Sequence, residues 1–393
     1  MDLFESEELK LNIDNTSQVI LSDDEINKKY RDGEIRIVTE QARYPLNAIS
    51  AMVHSDSYKL NPEYQRRHRW TNRKRSLLIE SLIMNVPIPP VFLYEFDYSS
   101  YEVMDGLQRL TAIASFYDDD FALEGLAKWP ELNGKKYSTL PKLVQQGIDR
   151  RYISSIILLH ETAKSKEEAE KLKQLVFDRI NSGGENLTPQ EKRNANYDGR
   201  LNRLCINLSA DANLCNTWGI PADEDNVDPV HSKRAENKLF KTMGDVELVL
   251  RFFAYRQRKN LQKGSLESYL DNYLEKGNYF SEELLKRLEL LFIDTIKLAY
   301  EIFGEKAFFL YRKRKTGWSW YERPTTAVYD PLMAVLSTNL SIRKSLLEKK
   351  DEINSEIEQF YKENYEFFEG RNTNPSALEQ RDEKFLTFIK RFA

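Results

Sequence analysis

Disulfide chemistry has almost nothing to work with in this chain: two cysteines, Cys205 and Cys215, in 393 residues. Two thiols cannot build a disulfide framework, and they fit a reducing compartment, where they read as small buried residues rather than nucleophiles. The four histidines, His54, His68, His160 and His231, are isolated from one another and from the cysteines, which excludes the ligand spacing of a zinc site. No stretch approaches the ~20 apolar residues of a membrane span. The opening MDLFESEELKLNID is too acidic and polar for a signal peptide, so a cytoplasmic protein with no membrane partner is expected. A P-loop, an internal repeat and a low-complexity tract are missing too, and no Ser-His-Asp or Cys-His arrangement can be assembled. With 58 basic against 62 acidic residues the net charge is −4, so any nucleic-acid surface has to be a local patch.

What is present is ordinary globular material, 41% hydrophobic and 12% aromatic, in a length that suffices for two or three domains. Residues 1–43 carry acidic runs such as Ser22-Asp23-Asp24-Glu25 and no sustained apolar period; they read as an N-terminal extension. Residues 44–164 read as a first domain. Within it, Leu46, Ile49 and Val53 recur at helical spacing. Arg73 to Asn85 is an amphipathic helix with Leu77, Leu78, Leu82 and Ile83 inward, stopped by the prolines from Pro87 to Pro90. VFLYEF and YEVM flank Asp97-Tyr98-Ser99-Ser100 at hairpin spacing, and RYISSIILLHE from Arg151 is a strand by its β-branched content. Residues 165–393 read as a helical domain; Thr188-Pro189-Gln190-Glu191 supplies a capping box, and helices are expected over 245–259 and 281–303.

The stretch from Tyr101 to Tyr117, YEVMDGLQRLTAIASFY, alternates as a strand and breaks at Asp105-Gly106. It then resumes at helical spacing through Leu107, Leu110, Ile113 and Tyr117. A helix start presents unpaired N–H groups and a positive dipole end, glycine lets a ligand approach, and Arg109 one turn on could add a guanidinium fork; the place suits a phosphate. The plainer reading keeps Asp105 as an N-cap and Arg109 as a solvated charge.

Three ordered motifs carry a resemblance. DGLQR followed by LTAIASFYDDDFAL resembles the DGQQR signature of the GmrSD-type restriction endonuclease N-terminal domain, a family with a ParB/sulfiredoxin-like fold. YQRRHRWTNRKRSLLIESLIMNVPIPPVFLYEF upstream and VFDRINSGGENLTPQEKRNANYDG downstream are similar to two further signatures of that family. Leu107 departs from it, standing where the family usually has Gln. The resemblance implies an α+β protein: a small ParB/sulfiredoxin-like mixed sheet that binds a nucleotide over 44–164, followed by a mostly helical domain. It implies a nucleoside triphosphate with Mg²⁺, held by Gln65, Arg66, Asp105, Gly106, Gln108, Arg109, Arg179 and Asn181. Gln108 would orient water or the ribose, and Asp105 would cap the helix or, second, bind the metal. Arg193 and Asn194 lie within a turn of the Thr188 cap in the third motif.

Two basic runs are candidate DNA contacts: Arg73 and Arg75 beside Trp70, and Arg312, Lys313 and Arg314 in FFLYRKRKTGWSWYERPTT, where basic residues precede Trp318, Trp320 and Tyr321. An exposed loop anchored by buried tryptophans explains the second run equally well. Many members of the resembled family carry an HNH nuclease domain, and its His/Asn cluster is not found here. An Asp…Glu-x-Lys pattern can be drawn through Asp228, Glu236 and Lys238, or ending at Glu348 and Lys350, but such patterns recur by chance in a chain this charged. The expected function is an NTP-binding and hydrolysing, DNA-recognising component of a restriction or antiphage system, with cutting left to a separate nuclease subunit. The alternative is a DNA-binding or protein-binding module with a vestigial nucleotide pocket.

Overall fold

The computed structural model describes residues 3–9, 22–32, 38–60, 70–159, 165–181, 188–222, 232–257, 265–315, 317–368 and 375–393. The chain divides into two compact units, one of Thr16–Leu187, the other of Met1–Asn15 with Thr188–Ala393.

The first unit is built on a five-stranded mixed sheet in the order β1-β5-β3-β4-β2, with β1 Thr39–Pro45, β2 Tyr58–Lys59, β3 Val91–Asp97, β4 Ser100–Asp105 and β5 Tyr152–Leu158. The β3–β4 hairpin is the one its sequence spacing predicts, and it turns at Tyr98-Ser99 with Ser99 at φ +52. β5 runs parallel to β3, and β1 pairs antiparallel to β5 along its whole length. Val91, Leu93, Val103, Ile153 and Ile157 project from the sheet into a core completed by Leu46, Ile49, Ile79, Leu110, Ile113 and Phe116. Burying such side chains is worth roughly 1.5–3 kcal/mol each, so this apolar layer holds the sheet against its helices.

The Asn72–Ile83 helix is capped by the Thr71 hydroxyl, which accepts from the Lys74 N–H. Its inward face is Leu78, Ile79 and Leu82, whereas Leu77 is turned to solvent. The apolar stripe therefore sits one residue round from the predicted one, because Ile79 rather than Leu77 faces the core. Glu80 is buried on the same helix. Its carboxylate accepts the N–H groups of Lys128 and Trp129, and the Ser76 hydroxyl accepts that of Glu124, so the irregular 121–133 stretch is tied to the helix by side-chain capping. The Lys166–Asn181 helix meets β4 through a 2.8 Å ion pair between Lys173 and Glu102.

Among its described residues the second unit is helical apart from a two-stranded hairpin, β6 Tyr311–Arg314 and β7 Gly317–Trp320. The capping box at Thr188 forms as the sequence predicts: the Glu191 carboxylate accepts the Thr188 N–H at 2.6 Å and the Thr188 hydroxyl accepts the Glu191 N–H. The Gly244–Tyr255 helix is buried over most of its length. Beside it lie the Glu282–Phe303 helix, capped by Ser281, and the Thr326–Thr338 helix. The architecture is α+β, and no described helix is long and apolar enough to cross a membrane.

Candidate functional site

At the end of β4 the chain passes through Gly106 at φ +96 and enters the Leu107–Tyr117 helix. The glycine is required twice. Its φ is one that L-residues avoid, and a Cβ there would lie 2.5 Å from Cγ1 of Val91 on the neighbouring strand. Gly106 is also the N-cap, and no side chain caps the helix; its carbonyl accepts the N–H groups of Arg109 and Leu110.

The expectation that Asp105 caps this helix is therefore corrected. With the left-handed residue at Gly106, the Asp105 carboxylate reaches one turn along instead and takes Nη2 of Arg109 at 2.6 Å. The i, i+4 spacing that favours such pairs on helices is visible in the sequence. The other arm of Arg109 donates to the carbonyl of Pro89 and, at 3.2 Å, to that of Pro90. Arg109 thus bridges the helix start and the proline loop ahead of β3. Neither proline carbonyl acceptor could have been read from the sequence, because nothing in a Pro-Pro pair marks a carbonyl as a partner.

Gln108 is half-buried, and its Oε1 accepts the N–H of Trp70 at 3.2 Å, linking the turn to the chain just after the 61–69 stretch. Gln65 and Arg66 lie outside the described residues. Leu107, at the departure from the family pattern, is buried in the core. Arg179 is exposed on the Lys166–Asn181 helix, whose last residue is Asn181. In the helical unit, Arg193 is almost fully buried among Gln190, Glu247 and Asp271, at 3.0, 2.9 and 2.6 Å, and Asn194 lies between Gln190 and the Met243 sulfur. These two residues of the third motif are engaged in packing.

Of the candidate DNA contacts, Arg73 is exposed, while Arg75 lies 5.7 Å over the ring of Phe121. In the β6–β7 hairpin, strand alternation separates two faces. Tyr311, Trp318 and Trp320 share one: Tyr311 stacks on Trp318, Trp320 donates to Glu358 at 2.9 Å, and Trp318 meets Tyr365 edge-on. The tryptophans are structural anchors. Arg312 lies on the other face, 4.0 Å over Tyr321, leaving Lys313 and Arg314 exposed.

Asp228 lies outside the described residues, and Glu236, Lys238, Glu348 and Lys350 all point to solvent. Among the described residues no three His, Cys, Asp or Glu side chains converge on a metal position. Both cysteines are buried, and burial pushes the Cys205 thiol well above its ordinary range, which makes it an inert core residue.

The polar groups of the sheet unit that meet at one strand-to-helix junction are Asp105, Gln108 and Arg109, and they define an α+β domain organised around that turn. Residues 49–197 match the model of the GmrSD restriction endonuclease N-terminal domain, so this stretch of the chain is similar to that family. The family that the model describes is one of restriction endonucleases. No curated protein and no solved structure matches the chain.

Proposed function

We propose that this protein is a nucleoside-triphosphate-binding component of a restriction or antiphage system, working in the cytoplasm on DNA with a separate nuclease subunit. The supporting observation is the turn itself: a glycine-opened helix start with Arg109 one turn in, its guanidinium neutralised by a carboxylate that is 37% exposed. A phosphate arriving there would meet helix N–H groups and a guanidinium already oriented by the proline carbonyls. Binding exchanges the Asp105 carboxylate for phosphate oxygens, and the solvent beside Asp105 receives the released charge.

Magnesium would enter on the phosphates, since such ions keep several waters and take only one or two protein carboxylates. Asp105, once released, is the one ligand this turn can offer. Gln65, Arg66, Arg179 and Asn181 complete the proposed pocket, and Gln108 orients water for hydrolysis. Arg73, Arg75, Lys313 and Arg314 are the proposed DNA contacts.

A second reading has its own support. Arg109 in its present place satisfies three oxygens, and Leu107 is core, so the turn is also self-sufficient as structure. On that reading the protein is a DNA-binding or protein-binding module with a vestigial pocket. The discriminating experiment is calorimetric titration with ATP, GTP, CTP and UTP in Mg²⁺, together with phosphate release with and without DNA. One triphosphate binding in a manner that depends on Arg109 supports the first reading; no binding of any of the four leaves the second.

A further inference from the structure

The segment Leu3–Leu9 is held in the helical unit by contacts that resemble recognition of a ligand. Glu7 is completely buried, and its carboxylate takes Nε and Nη2 of Arg256 at 2.7 and 2.9 Å in a two-pronged pair. Gln257 next door clamps the backbone from both sides: its Nε2 donates to the Glu7 carbonyl at 2.6 Å and its Oε1 accepts the Leu9 N–H at 2.8 Å. Phe4 lies 4.2 Å from the Arg287 guanidinium and 5.4 Å from that of Arg256. Between these anchors Glu5 and Ser6 face water.

The segment is also shaped for the purpose. It makes a tight turn in which the Glu7 N–H donates to the Phe4 carbonyl and the Glu7 carboxylate accepts the Phe4 N–H, with Ser6 at φ +63. A left-handed serine is unfavourable unless its surroundings fix it. The receiving side is made by the Gly244–Tyr255 helix end and the Glu282–Phe303 helix, elements with cores of their own. A buried ion pair adds little net stability compared with apolar residues of the same volume, but removing one partner leaves the other charge buried and unpaired, so Arg256 requires an acid opposite it.

We infer that Arg256, Gln257 and Arg287 form a peptide-binding site for an aromatic-x-x-carboxylate segment, and that Phe4 to Glu7 of this chain occupies it as a detachable latch. The site is independent of the strand-to-helix turn and of any nucleotide. A tethered segment competes at an effective concentration in the millimolar range, so the occupied site resists a free peptide until the latch is weakened.

The test uses the full chain and a labelled peptide of residues 1–12, MDLFESEELKLN, read by fluorescence anisotropy. The Glu7→Ala chain, with its latch weakened and receptor intact, should bind the peptide saturably, at least ~10-fold tighter than the wild-type chain does. A peptide carrying Glu7→Gln should lose about 10-fold or more in affinity, since it forfeits a charge-assisted pair. A folded Glu7→Ala chain that binds no peptide, or that binds both peptides alike, overturns the inference. Hydrogen exchange on the wild-type chain gives a reading that needs no variant: the Leu9 amide should exchange well ahead of the amides of Gly244–Tyr255, and exchange of both at one common rate would show the segment to be fixed core, not a latch.

Discussion

Asp105 and Arg109 give the sharpest test of the turn, because the two readings predict opposite outcomes for Asp105→Asn. In the free protein the Asp105 carboxylate neutralises Arg109 at 2.6 Å. With the carboxylate more than a third exposed, solvent screening holds this ion pair to under about 1 kcal/mol. The larger share of Arg109's contribution comes from the proline carbonyls, where a charged hydrogen bond is worth roughly 1.5–3 kcal/mol. Arg109→Ala should therefore destabilise the sheet unit by about 2–3 kcal/mol, a fall of roughly 5–10 °C at ~2–4 °C per kcal/mol for a unit of this size. Thermal unfolding followed by circular dichroism measures this directly.

Triphosphate binding separates the roles. If phosphate takes the guanidinium, Arg109→Ala, compared at temperatures where it is fully folded, weakens binding by about 10- to 150-fold, the equivalent of that same charged hydrogen bond. Arg109→Lys should recover part only, because the ammonium keeps the charge and loses the fork. In titrations without Mg²⁺, where the carboxylate has no metal to hold, Asp105→Asn removes the competitor and its repulsion, and should tighten binding by roughly 5- to 30-fold, which is about 1–2 kcal/mol. Calorimetry that finds Asp105→Asn neutral or weaker in affinity would refute the exchange, and would leave the pair as a structural tie between β4, the helix and the proline loop.

Gly106→Ala should cost about 2–4 kcal/mol, combining a left-handed φ with the 2.5 Å approach to Val91, and Val91→Ala in the same chain should restore only the steric part; full rescue in urea melts would contradict the backbone argument. Reversing Lys313 and Arg314 to Glu, while sparing Arg312 on Tyr321, should lower DNA affinity uniformly across sequences and reduce the log-salt slope by about 2; an unchanged slope in filter binding retires the hairpin as a DNA contact. Burial, reinforced by Asp149, pushes the Tyr137 phenol up to about 12 and raises Tyr117 as well. Because their neutral forms are favoured in the folded state, the stability they contribute is complete below pH 10 and drains away as pH rises through about 12. Urea melts from pH 9 to 12 should show a decline that flattens in the Tyr117→Phe, Tyr137→Phe double variant. Purified chain with Mg²⁺ should not nick DNA, and nicking abolished by Glu236→Ala would contradict that expectation.

The elements legible in the sequence were those whose own residues carry the period. The β3–β4 hairpin, the strand from Tyr152 and the Thr188 capping box each depend on neighbours a few positions away. β1 was not legible: TEQARYP has no apolar alternation, and it becomes a strand because β5, rich in isoleucine, offers it a complete antiparallel edge. Glu7 was hidden for a different reason. An acidic terminal segment reads as solvated, and its partner Arg256 lies 249 residues away, beyond any local pattern. At the turn, the sequence located the polar residues correctly but not their wiring, because a left-handed Gly106 moves the cap off Asp105 and sends that carboxylate to Arg109. In the β6–β7 hairpin the alternation of faces, visible only once the strands pair, puts Tyr311 and the tryptophans on one face and Arg312 on the other, while Lys313 and Arg314, nearest the turn, stay exposed.

Four of the paired arginines show what an exchangeable anion asks of its site; the exposed pairs of Arg203, Arg343 and Arg391 satisfy the same conditions, and what sets Arg109 apart is its place at a helix start. Exchange needs a guanidinium that a ligand can reach and a carboxylate that water can take when it is displaced. Arg251 can be reached about as easily as Arg109, but its partner Asp330 is only 7% exposed, and burial already raises the pKa of that carboxyl, so its charge has nowhere to go. Arg193 has the opposite fault: Asp271 is 36% exposed, yet the guanidinium itself is 2% exposed and enclosed by Gln190 and Glu247. Arg256 and Glu7 are both buried, and that pair can part only if the segment bearing Glu7 leaves whole, which is the motion of a latch. Arg109, at 12%, faces Asp105 at 37%, and that pair meets both conditions. The sequence feature behind it is small: one glycine between an aspartate and a helix, which takes the cap away from Asp105 and sets its carboxylate on Arg109, the pair that the proposed phosphate would part.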